Sequence, residues 1–296
     1  MESSSFHTVP SNHRGKLIIC PTPLGNLGDV TKRSIAAFES CDVVCCEDTR
    51  VTGKLLAVLG VEKRLERLDE STISHKAESI ASRVLAGEII AYASDAGMPG
   101  VSDPGLRLVD AVRTVGAPVE VLPGPTAVTT AYVASGFRGQ SFYFGAFFPR
   151  KTGDQQRLLS QLNHLDAVLL FYESPQRVAS TLQVIAQVFP YRRVAVCREL
   201  TKVHEEVYRG VASDVAQEFI RRQAEGSIKG EIVLVIDAPN AEEEAADKQV
   251  QFITAQQRAQ QLLKDGNLSK KDIVRLVRDE FGLSRNEAYD LVHGEA

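Results

Sequence analysis

The sequence lacks the features that place a protein in a membrane or hold it on nucleic acid by overall charge. No stretch of its 296 residues approaches the roughly 20 consecutive apolar residues that a membrane-spanning helix needs. Lys and Arg number 34 against 38 Asp and Glu, so the net charge is -4. A protein bound to nucleic acid through bulk charge is usually strongly basic. Any contact with nucleic acid must therefore depend on local patches.

Cysteine is scarce, and its spacing does not suit a metal. A zinc site needs paired Cys or His ligands, and Cys41, Cys45 and Cys46 have no second pair. Most of the five cysteines lie in apolar runs typical of strands. We therefore expect reduced, buried thiols, a cytoplasmic protein and no metal site.

The organisation of the chain predicts an α/β protein. The Ser- and His-rich segment 1–14 has no apolar core and is predicted to be a disordered leader rather than a signal peptide. Short apolar runs then alternate with amphipathic stretches, which indicates mainly parallel sheets covered by helices. The pattern restarts near 136–140, so we expect domains over 15–138 and 139–240. The predicted strands are 16–20, 42–46, 89–93, 118–122, 141–147, 167–172, 193–197 and 232–237, with an extra strand at 203–210 that would make the second sheet mixed.

Helix signals are clearest at two places. Asp29 is positioned to cap a helix over 30–40, and Asp103 with Pro104 to open another. After residue 239 the composition changes: 241–250 is predicted to be an acidic linker, and 251–296 a module of three helices over 254–264, 270–281 and 284–292. Ser269 and Ser284 are the expected N-caps of the last two.

Three glycine-containing loops, 21–29, 94–105 and 122–127, follow predicted strands. Open α/β sheets bind ligands at this edge. None of the loops contains a P-loop or the G-x-G-x-x-G pattern, and the segment 100–104 lacks the second glycine of a nucleophile elbow. Kinase, dehydrogenase and hydrolase functions are thereby disfavoured. Asp95 lies between a strand end and glycines, where it can pair with an amine or accept ribose hydroxyls; a turn-forming role is the alternative.

Six collinear motifs resemble the tetrapyrrole-methylase superfamily, and within it the branch that methylates ribosomal RNA. The motifs are 21–29, 47–50, 94–105, 122–127, 171–175 and 198–202. The resemblance runs from about 16 to 239. It implies a two-domain fold with S-adenosyl-L-methionine in the cleft between the domains, a homodimer, and 2'-O-methylation of a cytidine in 16S rRNA of the small ribosomal subunit. The superfamily often has Gly-Asp-Pro in its second loop, and the Ser94-Asp95-Ala96-Gly97 found here favours the rRNA branch.

The same resemblance implies the cofactor contacts by motif. The expected cofactor-binding residues are Leu24, Ser94, Asp95, Met98, Thr126, Ala127, Phe171, Tyr172 and Leu200. C-methylation of a tetrapyrrole on the same scaffold, and a non-catalytic RNA-binding factor that kept the fold, remain open as alternatives.

Methylation of a ribose hydroxyl is helped by a group that accepts its proton. The candidates are Glu47, Asp48 and Glu173. Two structural interpretations stay open beside this one: an internal ion pair with a helix cap in the segment 47–50, and a capping role for Glu173.

Cations after a strand end, near aromatic residues and on one helix face suggest where RNA binds. The candidate RNA-binding residues are Arg50, Arg150, Lys151, Lys271, Arg275 and Arg278. The last three fall on one face of a predicted helix. A solvated loop and a solvated charged face are the alternatives.

Overall fold

The fold is that of a computed structural model, which describes residues 14–226, 228–266 and 268–294 and, within 241–251, the helix but not the side chains. The leader predicted over 1–14 lies outside these residues except for Arg14. The chain divides into two compact units. One contains 14–162 and 166–238, and the other contains 163–165 and the chain from 239 onward.

The first half of the larger unit is a parallel sheet with helices on both faces. Its strands are β1 (Lys16–Ile19), β2 (Val43–Cys46), β3 (Leu65–Arg67), β4 (Ile89–Ala93) and β5 (Val119–Val121). Its helices are α1 (Lys32–Ser40), α2 (Thr49–Val58), α3 (Glu70–Leu85), α4 (Gly105–Thr114) and α5 (Ala127–Ser135). All five strands are parallel in the order β3-β2-β4-β1-β5. Ile19 and Tyr92 belong to the core on one face, and Ile18 and Ala91 to that on the other, as expected for continuous apolar runs.

The second half is a mixed sheet. Its strands are β6 (Phe142–Phe147), β7 (Val168–Glu173), β8 (Arg193–Arg198), β9 (Glu206–Val211) and β10 (Ile232–Ile236), and its helices are α6 (Thr152–Leu162), α7 (Val178–Val188) and α8 (Ala212–Glu225). The order is β6-β7-β10-β8-β9, with β6 parallel to β7 and the other pairs antiparallel, which confirms the predicted mixed sheet. Helix α5 packs through Val128 and Ala131 on one face of this sheet. The first half therefore ends in a helix that belongs to the core of the second.

Two details differ from the sequence-based expectation. Helix α1 begins at Lys32 and is capped by Thr31, whose hydroxyl accepts from the Ser34 N–H, while Asp29 ends a short 3-10 turn. Thr31 is a good cap adjoining the first helical residue, so it replaces Asp29.

The elements α2, β3 and α3 were not predicted. The strand β3 is a short edge strand whose residues are half-buried or exposed, so its sequence lacks the apolar run of a buried strand. The predicted division at 138/139 falls between α5 and β6 and stays a prediction, since both sheets belong to one compact unit.

The smaller unit contains α9 (Ala241–Asp265), α10 (Lys270–Phe281) and α11 (Arg285–His293) around a small apolar core. Ser269 and Ser284 cap the last two helices, as predicted. The predicted linker over 241–250 is wrong, because α9 already begins at Ala241. Ala and Glu are strong helix formers, and acids in a first turn suit the helix dipole. Within the described residues, no helix is both long and apolar enough to cross a bilayer.

Candidate functional site

A cavity of about 410 Å³ opens between the two halves of the larger unit, within the range of small-molecule sites. Nearly all of the predicted cofactor residues line it: Leu24, Ser94, Asp95, Met98, Thr126, Ala127, Tyr172 and Leu200. The first six come from loops of the parallel sheet and the start of α5, and the last two from the mixed sheet. The structure therefore brings together residues that are far apart in sequence.

The order of the first sheet explains why its loops meet. Strands β1 and β4 are neighbours, so the loops that follow them leave the same edge. The Thr22 N–H donates to the Gly97 carbonyl at 2.9 Å, and the Gly97 N–H returns a bond to the Thr22 carbonyl at 3.1 Å. Gly97 has a φ of +82°, and a Cβ there would lie 3.0 Å from the Leu24 side chain. This bridge holds Leu24 and Ser94 against the cavity.

Helix α5 begins at the cavity. Thr126 is its N-cap residue but makes no side-chain hydrogen bond to the first turn, and both Thr126 and Ala127 line the cavity. A helix N-terminus that lacks a side-chain cap favours an anionic ligand group, because the first amides and the helix dipole both point to it. A carboxylate is one such group.

Three carboxylates from the first half lie together on the cavity wall: Glu47, Asp95 and Asp103. Burial, assisted by Asp103 and Asp95, raises the pKa of Glu47 to about 7. Burial also raises the pKa of Asp95 and the pKa of Asp103. Within the described chain, no Lys, Arg or His forms an ion pair with any of the three. Backbone N–H groups donate to these acids, but no described basic side chain neutralises them, so they leave a negative surface on the cavity wall.

Backbone in unusual conformations lies in or beside the cavity wall, mostly in the second half. Among the described residues other than glycine, Ser102, Ala146, Glu199 and Thr201 have positive φ, and each lies in the cavity wall or next to a residue of it. Such conformations cost free energy and concentrate at functional sites. Glu199 and Thr201 flank Leu200, and the Glu199 carboxylate accepts from the Glu231 N–H at 2.9 Å. The hydrogen bond anchors this strained loop beside the cavity.

Lys202 joins the two halves at the rim of the cleft. Its ammonium forms ion pairs with Glu199 at 2.9 Å and Glu231 at 3.2 Å. Its aliphatic stem lies against Gly25, where a Cβ would come within 2.2 Å of the Lys202 Cγ. The absence of a side chain at Gly25 therefore allows Lys202 to pack on the loop that contains Leu24.

Two predicted residues of β7 face away from the cavity. Phe171 is fully buried and packs against Phe148 on the opposite face, so the predicted cofactor contact of Phe171 is wrong. Glu173 borders the cavity, but its side chain is buried: one oxygen accepts from Arg177 and the Ser174 N–H, the other from the Thr181 hydroxyl at 2.6 Å. Residues alternate along a strand, so Tyr172 faces the cavity and its two neighbours do not.

Asp48 adopts the structural role that was left open for it. Its carboxylate caps α2 by accepting from the Arg50 N–H at 2.8 Å and pairs with the exposed Arg50 guanidinium. These contacts hold the pKa of Asp48 well below its usual range. Neither residue lines the cavity.

The remaining cations are spread over two units. Arg150 and Lys151 are exposed between β6 and α6 in the larger unit. Lys271, Arg275 and Arg278 lie on α10 in the smaller unit, where Arg275 pairs with Asp272 and Arg278 with Asp279.

The five cysteines are free and buried as expected, and burial raises the pKa of Cys197 to about 12. In the described part of the chain, no group of three or more His, Cys, Asp or Glu side chains is arranged to hold a metal ion.

The sequence did not predict that Asp103 and Phe147 lie at the cavity, although both line it. Asp103 was predicted only as a helix cap, with Pro104 as the first helical residue. The N-cap of α4 is instead Pro104, and the Asp103 carboxylate accepts from the Gly100 N–H at 2.7 Å and the Gly105 N–H at 2.8 Å. Its position in the second glycine loop was the available signal. Phe147 faces the cavity because the pairing of β6 with β7 is irregular between Phe144 and Phe147, and no sequence pattern predicts this irregularity.

Comparison with known proteins agrees with this architecture. The family model of tetrapyrrole (corrin/porphyrin) methylases matches residues 16–216, and the chain belongs to this family. It is also similar over most of its length to ribosomal RNA small subunit methyltransferase I. The Bacillus subtilis (strain 168) protein is 36% identical over 280 residues, or 94% of each chain. That of Hydrogenobaculum sp. is 42% identical over 227 residues, 76% of this chain and 96% of the relative.

Solved structures share the fold at low identity. A cobalt precorrin-4 methyltransferase aligns with a TM-score of 0.57 at 15% identity, over 77% of this chain and 97% of that one. Diphthine synthase aligns with a TM-score of 0.58 at 13% identity, over 75% of this chain and 90% of that one. The predicted fold and family resemblance are thus confirmed.

Proposed function

We propose that the protein uses S-adenosyl-L-methionine to methylate the ribose 2'-hydroxyl of a cytidine in 16S rRNA of the small ribosomal subunit. The main support is an acid-lined cavity between two α/β halves, in a chain whose relatives are named ribosomal RNA small subunit methyltransferase I. Location in the cytoplasm and assembly as a homodimer are part of the proposal.

The residues of the cavity fit this cofactor. Its sulfonium and ammonium groups are cationic, and the wall carries Glu47, Asp95, Asp103 and Glu231. Within the described lining there is no Lys, Arg or His to repel a cation. The start of α5 suits the cofactor's carboxylate, while Leu24, Met98 and Leu200 provide apolar contacts. When bound, S-adenosyl-L-methionine supplies a methyl group activated by the positive sulfur.

Glu47 is the best placed proton acceptor for the ribose hydroxyl. It lines the cavity, and a pKa of about 7 leaves a substantial fraction ionised at neutral pH while keeping it basic enough to accept a proton. Asp48 and Glu173 are less suitable, because the carboxylate of each is already bound by Arg50 or by Arg177 and Thr181. Glu47 accepts the proton, and Asp95 and Asp103 keep its carboxyl group easily protonated.

RNA would be held outside the acidic cavity, because its phosphates are repelled by the carboxylates there. The exposed cations Arg50, Arg150 and Lys151 are candidates in the larger unit. Lys271, Arg275 and Arg278 on α10 are candidates in the smaller unit. The target nucleotide would be presented unpaired, since a ribose within a stacked helix is poorly accessible.

The direct test uses S-adenosyl-L-methionine with a labelled methyl group and small ribosomal subunits that lack 2'-O-methyl groups. Nuclease digestion then maps the label. Label on the ribose of one cytidine of 16S rRNA is the expected result. A protein that binds the cofactor but leaves the rRNA unlabelled, while labelling a porphyrinogen, would instead be a tetrapyrrole methyltransferase. Binding to the rRNA with no cofactor affinity would indicate a non-catalytic factor.

A further inference from the structure

Strand β6 contains one extra residue relative to its neighbour β7. Phe144 pairs with Leu170 and Phe147 with Tyr172, so three steps along β6 match two along β7. Ala146, within this bulge, has a φ of +56°. The preceding Gly145 has no room for a side chain, since a Cβ would lie 2.2 Å from the Phe171 ring. A bulge of this kind can redirect the side chain that follows it.

The bulge determines which phenylalanine faces the cavity. In a regular strand, residues three apart point to opposite faces. Here Phe144 and Phe147 both contact Tyr172, with ring centroids 5.0 and 5.4 Å away. Phe148 instead packs on Phe171 at 4.7 Å in the core of the other face. Phe147 is therefore placed on the cavity side by the extra residue.

Phe147 is an unusual residue to leave accessible. It is 60% exposed while lining the cavity, whereas the adjacent Phe148 is 1% exposed. Both the positive φ of Ala146 and the exposure of a large apolar ring are unfavourable for folding alone. Their combination at the mouth of a ligand cavity indicates that the ring is kept available for a ligand.

The surroundings suit a planar ring as that ligand. An exposed aromatic face binds nucleobases by stacking, and Tyr172 meets Phe147 in a T-shaped contact that supports its orientation. Arg150 and Lys151 follow within four residues and are exposed, so they can reach phosphates outside the acidic cavity. A single-stranded nucleotide offers both a base for stacking and phosphates for the cations.

We propose that Phe147 is the stacking platform for the base of the nucleotide whose ribose is methylated. This inference rests on the proposed function and adds a substrate-binding residue to it. Stacking on Phe147 fixes the base at the cavity mouth, which leaves the ribose directed toward the cavity and Glu47.

The test compares four variants of the full-length protein. Phe147→Ala removes the ring, Phe147→Leu keeps an apolar side chain without a π face, and Phe147→Trp enlarges the stacking surface. Phe142→Ala is the matched control, because Phe142 lies on the same strand, is 43% exposed and does not line the cavity. For each variant, KM for small ribosomal subunits is measured at saturating cofactor, and the cofactor Kd by calorimetry.

We expect Phe147→Ala and Phe147→Leu to raise KM for the subunits by about 5- to 150-fold, the range that corresponds to loss of one base–aromatic stack. Phe147→Trp and Phe142→Ala should stay within about twofold of the wild type, and every cofactor Kd should be unchanged. An equal loss of cofactor affinity in Phe147→Ala would make Phe147 a cofactor contact and overturn the inference. So would a Phe147→Leu that performs like the wild type. If the wild type itself fails to label rRNA, the proposed function is overturned instead.

Discussion

The acids that the first half places on the cavity wall and the paired acids of the second half have opposite surroundings. In the first half, Glu47, Asp95 and Asp103 line the cavity without an ion-pair partner in the described chain, and burial raises the pKa of each. In the second half, the Glu231 N–H and the Lys202 ammonium lower the pKa of Glu199. Arg222 and Arg198 lower the pKa of Glu206 against the effect of its burial. Glu173 is likewise paired with Arg177.

The acids with basic partners stabilise the fold, whereas the acids of the cavity wall without such partners are suited to bind a ligand. A buried carboxylate with a basic partner is satisfied within the protein, and removing it leaves the partner uncompensated. A partly buried carboxylate without one raises the free energy of the folded protein until a cation or a proton arrives. The cavity is therefore prepared for a positively charged ligand by the first half and held in shape by the second.

The largest expected effect is the loss of stability in Glu173→Ala. This change leaves the partly buried Arg177 guanidinium and the Thr181 hydroxyl without their acceptor, and should lower the free energy of unfolding by about 3–5 kcal/mol in urea denaturation.

Glu47→Gln is the contrasting variant, because Glu47 has no basic partner to lose among the described residues. Because the pKa of Glu47 is raised on folding, wild-type stability falls as pH rises from 4.5 to about 7.

Glu47→Gln should therefore be about 1–2 kcal/mol more stable than the wild type at pH 8, and about equally stable at pH 4. This stability difference is smaller than the free energy that corresponds to the full pKa shift of Glu47, because the side chain is partly solvated. If Glu173→Ala and Glu47→Gln lost stability equally, the distinction between the two kinds of acid would be refuted.

A smaller effect is expected on cofactor affinity. Asp95→Ala removes one of the carboxylates of the cavity wall and should weaken binding of S-adenosyl-L-methionine about tenfold, or about 1.4 kcal/mol, by calorimetry. Asp48→Ala is the control: Asp48 is adjacent in space but already paired with Arg50 and outside the cavity, so affinity should change less than about twofold. Unchanged affinity in a folded Asp95→Ala protein would remove Asp95 from the binding site.

The smallest effect concerns the residue that connects the two halves. Lys202→Met keeps most of the stem that packs on Gly25 but removes the ion pairs with Glu199 and Glu231. These pairs are partly exposed, so thermal unfolding should show a loss of about 1 kcal/mol or less. Lys32→Met, an exposed substitution on α1, should cost less still. A larger loss in Lys32→Met than in Lys202→Met would contradict the role of Lys202.

Much of this arrangement could be predicted from the sequence, because continuous apolar runs and the glycine loops after them depend on local patterns. The strands β1, β4 and β8 and the position of Asp95 in a glycine loop were predicted in this way, whereas Leu24 and Thr126 were expected from the family resemblance. All three residues line the cavity. The roles of Glu47 and Glu173 could not be separated, since each follows a strand and only the fold shows which side chain meets a basic partner. Phe171 was misplaced and Phe147 missed because strand phase depends on register and on the bulge at Ala146.

The most direct test of the account is the pH dependence of single-turnover methyl transfer to small ribosomal subunits by the wild type and Glu47→Gln. With Glu47 accepting the proton, the wild-type rate should rise tenfold per pH unit at low pH and level off above the pKa of Glu47, which the positive charge of the bound cofactor lowers from its value of about 7 in the free protein. Glu47→Gln should be slower by about 100-fold at pH 8 and lack this transition. A Glu47→Gln protein that retained both the wild-type rate and the wild-type pH profile would contradict the account.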